Sequence, residues 1–194
     1  MSEGFCRRFS LVKGSIAAVI VLVGGLVLIS AAHAAGPARP FRVGLWTGGA
    51  YTDDRTGIFC NCAALIPYTN GLTMALALNR FFGWTLSFYN PLWSLYQYRQ
   101  IPIEMHIPDN GPTVGISGTV INPTTVIVSM SDNSRQIDAF RLAYRMNALV
   151  GGRYFAFNLN NTSDLMVQLI DCVRTSLALE LSDPPAPQQP IGRR

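Results

Sequence analysis

The sequence predicts an α+β domain dominated by antiparallel sheet, a meander or sandwich carrying one short helix and a C-terminal helix packed on the sheet. Three observations predict it. Apolar and polar residues alternate along much of residues 41–130, the period of strands with one buried face. Turn residues punctuate that pattern at hairpin spacing, as Asn70-Gly71, Asn79 to Gly83, Asn122-Pro123 and Gly151-Gly152. A helical period appears only after Ser134 and again after Asn161.

The elements follow in order. Phe41, Val43 and Leu45 alternate with Arg42 and Gly44 as a first strand, and the Gly/Asp/Thr stretch from Thr47 to Gly57 reads as a loop. Ile58 to Tyr68 is a second strand. Asn70-Gly71, the strongest short hairpin signal, should join it through a type I′ turn to Leu72–Leu78. After Asn79 to Gly83, Trp84 to Phe88 alternates large apolar with small polar residues. Ile101, Ile103, Met105 and Ile107 share one strand face, with Glu104 and His106 on the other, before Pro108-Asp109-Asn110-Gly111 breaks the chain. Val114–Ile121 and Thr125–Met130 are two further strands. From Ser134 a short helix places Ile137, Phe140 and Tyr144 on one side and Arg135, Asp138 and Arg141 opposite. Met146–Val150 and Arg153–Leu159 form a hairpin across the two glycines. Asn161 is the expected N-cap of the last helix, with Asp164 near its positive end and Leu165, Leu169, Cys172 and Val173 on its apolar side.

Residues 1–34 read as a secretory signal peptide: Arg7, Arg8 and Lys13 precede the apolar run Ile16–Ile29, followed by Ala32-His33-Ala34. Cleavage is expected after Ala34. A membrane-spanning helix wants about 20 apolar residues, and this run is shorter, although the uncharged stretch continues to Ala38. The alternative is an inner-membrane anchor, with membrane association through residues 14–32. Either way the body of the protein lies outside the cytoplasm, periplasmic or secreted. Residues 35–40 form a linker, 41–181 a single globular domain, and 182–194 a Pro-rich tail too poor in apolar residues to pack.

Charge excludes one class of function. The leader carries three of the 15 basic residues and one of the 11 acidic ones, so the rest of the chain holds 12 against 10. Its cations are all arginine and scattered, which leaves no electrostatic footprint for nucleic acid.

The four cysteines are Cys6, Cys60, Cys62 and Cys172. On a strand Cys60 and Cys62 point to the same face about 6.5 Å apart, so a bridge between them would be strained. In an exported chain one of the two should pair with Cys172 and pin the last helix to the sheet. Metal binding would need histidines or carboxylates converging on the Cys-x-Cys, and His106 is the single histidine after the leader. No metal site and no cofactor is expected.

A pattern of motifs runs through the domain: Trp46-Thr-Gly-Gly-Ala-Tyr51; Phe59-Cys-Asn-Cys62-Ala63 with Tyr68 and Gly71; Trp93 before a strand ending in Asp109; Phe157-Asn-Leu159 with Thr162-Ser163; and Leu169-Ile-Asp-Cys172-Val173. It resembles a family of small exported bacterial proteins with no assigned reaction, over nearly all of Phe41 to Val173. In that family's pattern the recurring cysteine is the one preceding alanine. The resemblance therefore implies a Cys62–Cys172 disulfide, with Cys60 left as an extra thiol.

No catalytic residues are predicted. The nearest to a catalytic set is Gly115-Ile-Ser117-Gly-Thr119 with His106 and Asp109 or Asp138, but a hydrolase elbow needs Gly-x-Ser-x-Gly between a strand and a helix. Here Thr119 replaces the last glycine and strand lies on both sides. Asp53-Asp54 reads as a solvated turn before a cation site, and Gly48-Gly49 lacks the lysine and helix of a phosphate cradle. A binding surface is better supported by Tyr89-Asn-Pro-Leu-Trp93-Ser-Leu-Tyr96-Gln-Tyr98-Arg99, since aromatics with a polar tip are the residues most used at interfaces. Trp93, Tyr96 and Tyr98 are its candidate contacts, with Trp93 and Leu95 free to enter the core instead. The expected function is a non-enzymatic exported binding or interaction module whose partner is a protein or small ligand of the cell envelope. The alternative is an envelope structural protein held by an uncleaved leader.

Overall fold

In a computed structural model, residues 37–54, 56–107, 113–130 and 134–182 are described. The leader and the tail after Ser182 lie outside them, as do Pro108 to Pro112. The elements are β1 (Ala38–Val43), β2 (Trp46–Thr52), β3 (Phe59–Pro67), β4 (Thr73–Asn79), β5 (Trp84–Tyr89), β6 (Gln100–His106), β7 (Val114–Asn122), β8 (Thr125–Ser129), α1 (Ser134–Leu142), β9 (Arg145–Val150), β10 (Arg153–Asn158) and α2 (Thr162–Ser182). The fold is α+β, as the alternation and the two helical periods predict.

All ten strands belong to one antiparallel sheet in the order β1-β2-β3-β4-β5-β8-β7-β6-β9-β10. Its inner face follows from register. Ala50, Cys62, Leu78 and Trp84 lie in one cross-strand row, and Met74 and Phe88 in another. These residues, with Val126, Val128, Ile103, Met146, Ala148 and Phe157, form one buried cluster. The sheet curls until its far end meets its middle. Phe157 of β10 packs 5.6 Å from Phe88 of β5 and edge-on, 5.0 Å, to Tyr68. The Tyr68 hydroxyl donates to the Asn158 carbonyl at 2.7 Å, and burial raises its pKa far above the ordinary tyrosine value.

α2 lies on the same inner face, where Leu165, Met166, Leu169, Cys172 and Val173 repeat at three- and four-residue spacing and are buried. It runs from one end of the sheet to the other. Near its start, the Trp46 indole donates to the Asn160 carbonyl; near its finish, Arg80 pairs with Glu180 at 3.2 Å. Asn161 precedes it in a left-handed conformation, φ 64°, where an N-cap is usually extended. Its carbonyl still accepts the Leu165 N–H at 2.9 Å.

Three expectations fail. The stretch Thr47 to Thr52 is strand, and the loop is confined to the residues after it. Gly48 and Gly49 are there for close approach: a Cβ on Gly48 would strike the Ala63 carbonyl, and one on Gly49 would meet the backbone of Ala38. A strand rich in glycine looks like a loop in sequence. The linker is also shorter than expected, because β1 begins at Ala38. At Asn70-Gly71 only Gly71 has positive φ, and Gly71 N–H bonds the Tyr68 carbonyl, so the turn is a longer loop ending in a left-handed glycine. The turn with positive φ at both central residues is Gly151-Gly152, at 59° and 78°. No helix among the described residues is long and apolar enough to cross a membrane.

Candidate functional site

Cys62 and Cys172 form a disulfide with Cα atoms 6.1 Å apart, which fixes α2 on β3. A disulfide is typical of an oxidising, exported compartment. Cys60 departs from the expectation of a leftover thiol, because it is disulfide-bonded. Its side chain is half-buried at the start of β3.

The residues of the hydrolase reading are not brought together. Ser117 Oγ donates to Gln100 Oε1 at 2.7 Å, while His106 Nδ1 meets Thr113 Oγ1 at 3.2 Å. Ser117 faces Pro102 in the β6–β7 register, four residues and about 13 Å along the strand from His106. Asp138 lies on α1, paired with Arg141 at 3.4 Å, and Asp109 lies outside the described residues. We expect Ser117→Ala, which removes one exposed hydrogen bond, to change stability by no more than about 0.5 kcal/mol, as read by denaturant unfolding. Asp53 is occupied in building its own turn: its carboxylate accepts from Thr56 N–H at 2.9 Å and Thr56 Oγ1 at 3.0 Å. Among the described residues no group of three or more His, Cys, Asp or Glu converges as a metal site.

Two surface features remain. Glu104, His106, Thr113, Asn147, Tyr154, Phe155 and Ala156, on and beside β6, β9 and β10, line an open cleft of about 540 Å³. Register makes it. His106 pairs with Asn147, which pairs with Ala156, so a small residue floors a row flanked by larger ones. Nothing in the sequence marks this cleft, because its strands are joined across turns and a helix.

The other feature is the segment from Asn90 to Arg99, which crosses one end of the curled sheet. Its backbone is tied down along its length. Asn90 N–H bonds the Thr124 carbonyl, Leu95 N–H that of Pro123, and Tyr98 N–H that of Val120, at 2.7 to 3.0 Å, and Gln97 Nε2 reaches Ile121 O at 2.8 Å. Trp93 stacks edge-on against Phe155, 6.3 Å between centroids, and Leu95 also packs on the core. Both therefore face inward. Leu92, Tyr96 and Tyr98 face outward, exposed to 87%, 78% and 80%. The Arg99 guanidinium lies 5.3 Å over the Tyr96 ring. Tyr98 holds φ 63°, a conformation suited to glycine or asparagine.

No known family's sequence pattern matches the chain, and no curated protein does. Among solved structures, a crystal structure of invasion associated protein B from Bartonella henselae is similar, with a TM-score of 0.51 and 14% identity. The likeness covers 69% of this chain and 97% of that one. At that identity it shows a shared fold.

Proposed function

We propose that this chain is an exported recognition domain, with no reaction of its own, that binds a partner of the cell envelope through the capping segment Leu92 to Arg99. One observation carries the reading: Tyr98 is four-fifths exposed and yet held in the left-handed region. A bulky residue there costs on the order of 1 kcal/mol, which glycine would avoid. No burial of the ring returns that cost, so the phenol serves something other than stability. Its surroundings fit an interface. Tyr and Arg are the side chains that most often dominate binding energy, and here they stand on a backbone already ordered by hydrogen bonds, which lowers the entropy lost on docking. The compartment follows from the leader and agrees with the Cys62–Cys172 disulfide.

The test separates function from folding. Tyr98→Gly is expected to leave stability unchanged or raise it by up to about 1 kcal/mol. A photo-reactive phenylalanine analogue at position 96 should cross-link a protein or ligand of the envelope in intact cells, and Tyr98→Gly should abolish that cross-link. An equal yield with the analogue at Ser117, on the outer strand face, would overturn the assignment, as would a yield that Tyr98→Gly leaves unaltered.

A further inference from the structure

The sheet has two ends, and the capping segment occupies one of them. At the other, the cross-strand row Ala38, Ala50, Cys62, Leu78, Trp84 brings the start of β1 alongside the turn from Arg80 to Gly83. α2 finishes there too. Cys172 sits on this row through its disulfide, and the next eight residues carry the helix about 12 Å further, to where Glu180 meets Arg80. Chain entry, the β4–β5 turn and the end of α2 thus share one end of the domain.

That end is apolar where it projects. Phe81 is 78% exposed at the tip of the turn, Phe82 is half exposed, and Leu179 and Leu181 are exposed on the last turn of α2. Phe82 holds φ 62°. A large ring thus sits where glycine would cost less, with half of it left in solvent. Behind the rings, Arg80 lies 5.9 Å from the Phe81 centroid, donates to the Phe59 carbonyl at 3.1 Å and pairs with Glu180. Aromatic tips backed by a cation match the level of lipid headgroups, with rings below and guanidinium beside the phosphates.

We propose that this end seats on a phospholipid bilayer, with Phe81, Phe82 and Leu181 in the interface, so that Leu92 to Arg99 points away from the membrane toward its partner. The position of the N-terminal segment selects lipid as the occupant. Ala38 stands nine residues on from Ile29, the last residue of the apolar run, which is about 30 Å of chain at full extension. A retained leader would hold this end against the bilayer, and a chain cleaved after Ala34 is released there with the same end leading. Asp54 is exposed in the neighbouring loop and Arg80 is already paired, so attachment rests on apolar insertion and is little altered by salt.

The experiment uses the exported chain as cells release it, and vesicles of phosphatidylethanolamine with a minority of phosphatidylglycerol. Co-flotation is expected, with amide exchange slowed at residues 80–83 and 179–182. Phe81→Ser combined with Phe82→Gly should fold at least as stably and weaken flotation about tenfold or more, whereas Tyr98→Gly should leave it intact. Failure of the wild-type chain to float, flotation indifferent to the double substitution, or flotation abolished by moderate salt would each overturn the proposal. None of these results touches the cross-link at position 96, so the two readings fail separately.

Discussion

Removing the Cys62–Cys172 bridge is expected to cost about 4 to 5 kcal/mol, the entropy that the cross-link withholds from the unfolded chain. The two cysteines are separated by 110 residues, a loop long enough for that figure to approach the top of the measured range. The variant should be Cys62→Ala with Cys172→Ala. A single substitution would leave an unpaired thiol able to exchange with other cysteines. The loss should also be uneven. α2 depends on the inner faces of β1–β4 and on the bridge, while the strands are held by their own ladders. Amide exchange should therefore rise in residues 162–182 before it rises in β3 and β4. Denaturant midpoints measure the total, and simultaneous loss of protection in helix and sheet would show that α2 is part of a single cooperative unit.

Phe157→Ala is expected to cost about 3 to 5 kcal/mol, the usual range for deleting a buried ring without collapse of the site. The ring is buried between Phe88 and Tyr68, where the end of the sheet meets its middle. Aromatic contacts of this kind add about 0.5 to 1.5 kcal/mol each beyond burial. The effect should extend past the cavity. Without the ring, the Tyr68–Asn158 and Asn70–Ala156 hydrogen bonds lose the packing that aligns them, so β9 and β10 should loosen as a pair. Thermal unfolding with near-ultraviolet circular dichroism checks both parts. A drop below about 1.5 kcal/mol, typical of a tolerated core change, would mean that the closure is held elsewhere.

The faces of the strands were legible in the sequence and the curvature was not. Alternation assigns Ile103, Met105 and Ile107 to one side, and they are buried as expected. It is silent on how far ten strands turn before β10 meets Tyr68, because that depends on contacts more than eighty residues apart. The strand Trp46–Thr52 was hidden for a related reason: its glycines answer to Ala63 and Ala38 across the sheet, and composition records only that they are glycines. The candidate site divides in the same way. Tyr96 and Tyr98 stand out locally as polar-tipped aromatics in a short run, with Trp93 turned inward. The cleft at Glu104 and His106 exists only through register with Asn147 and Ala156. Phe82 and Tyr98 carry a backbone strain that residue type alone does not announce.

The two edges of the sheet bear on how the molecule behaves in a crowded compartment. β1 carries Pro40, a register break between Ala38 and Phe41, and Arg39 at φ 55°, so it offers no regular row of donors. β10 is blunted differently, with the carbonyls of Ala156 and Asn158 already taken by the side chains of Asn70 and Tyr68. An open sheet of this size is a template for fibrils and swapped oligomers, and here both templates are spoiled, one by its own backbone and one by borrowed side chains. The second protection is the fragile one, since it rests on a phenol and an amide donated from the β3–β4 turn. Colloidal solubility in this fold is therefore a property of folding to completion: a chain whose sheet has formed but not yet closed exposes a sticky strand, and the interval before Tyr68 reaches Asn158 is when self-association competes with maturation.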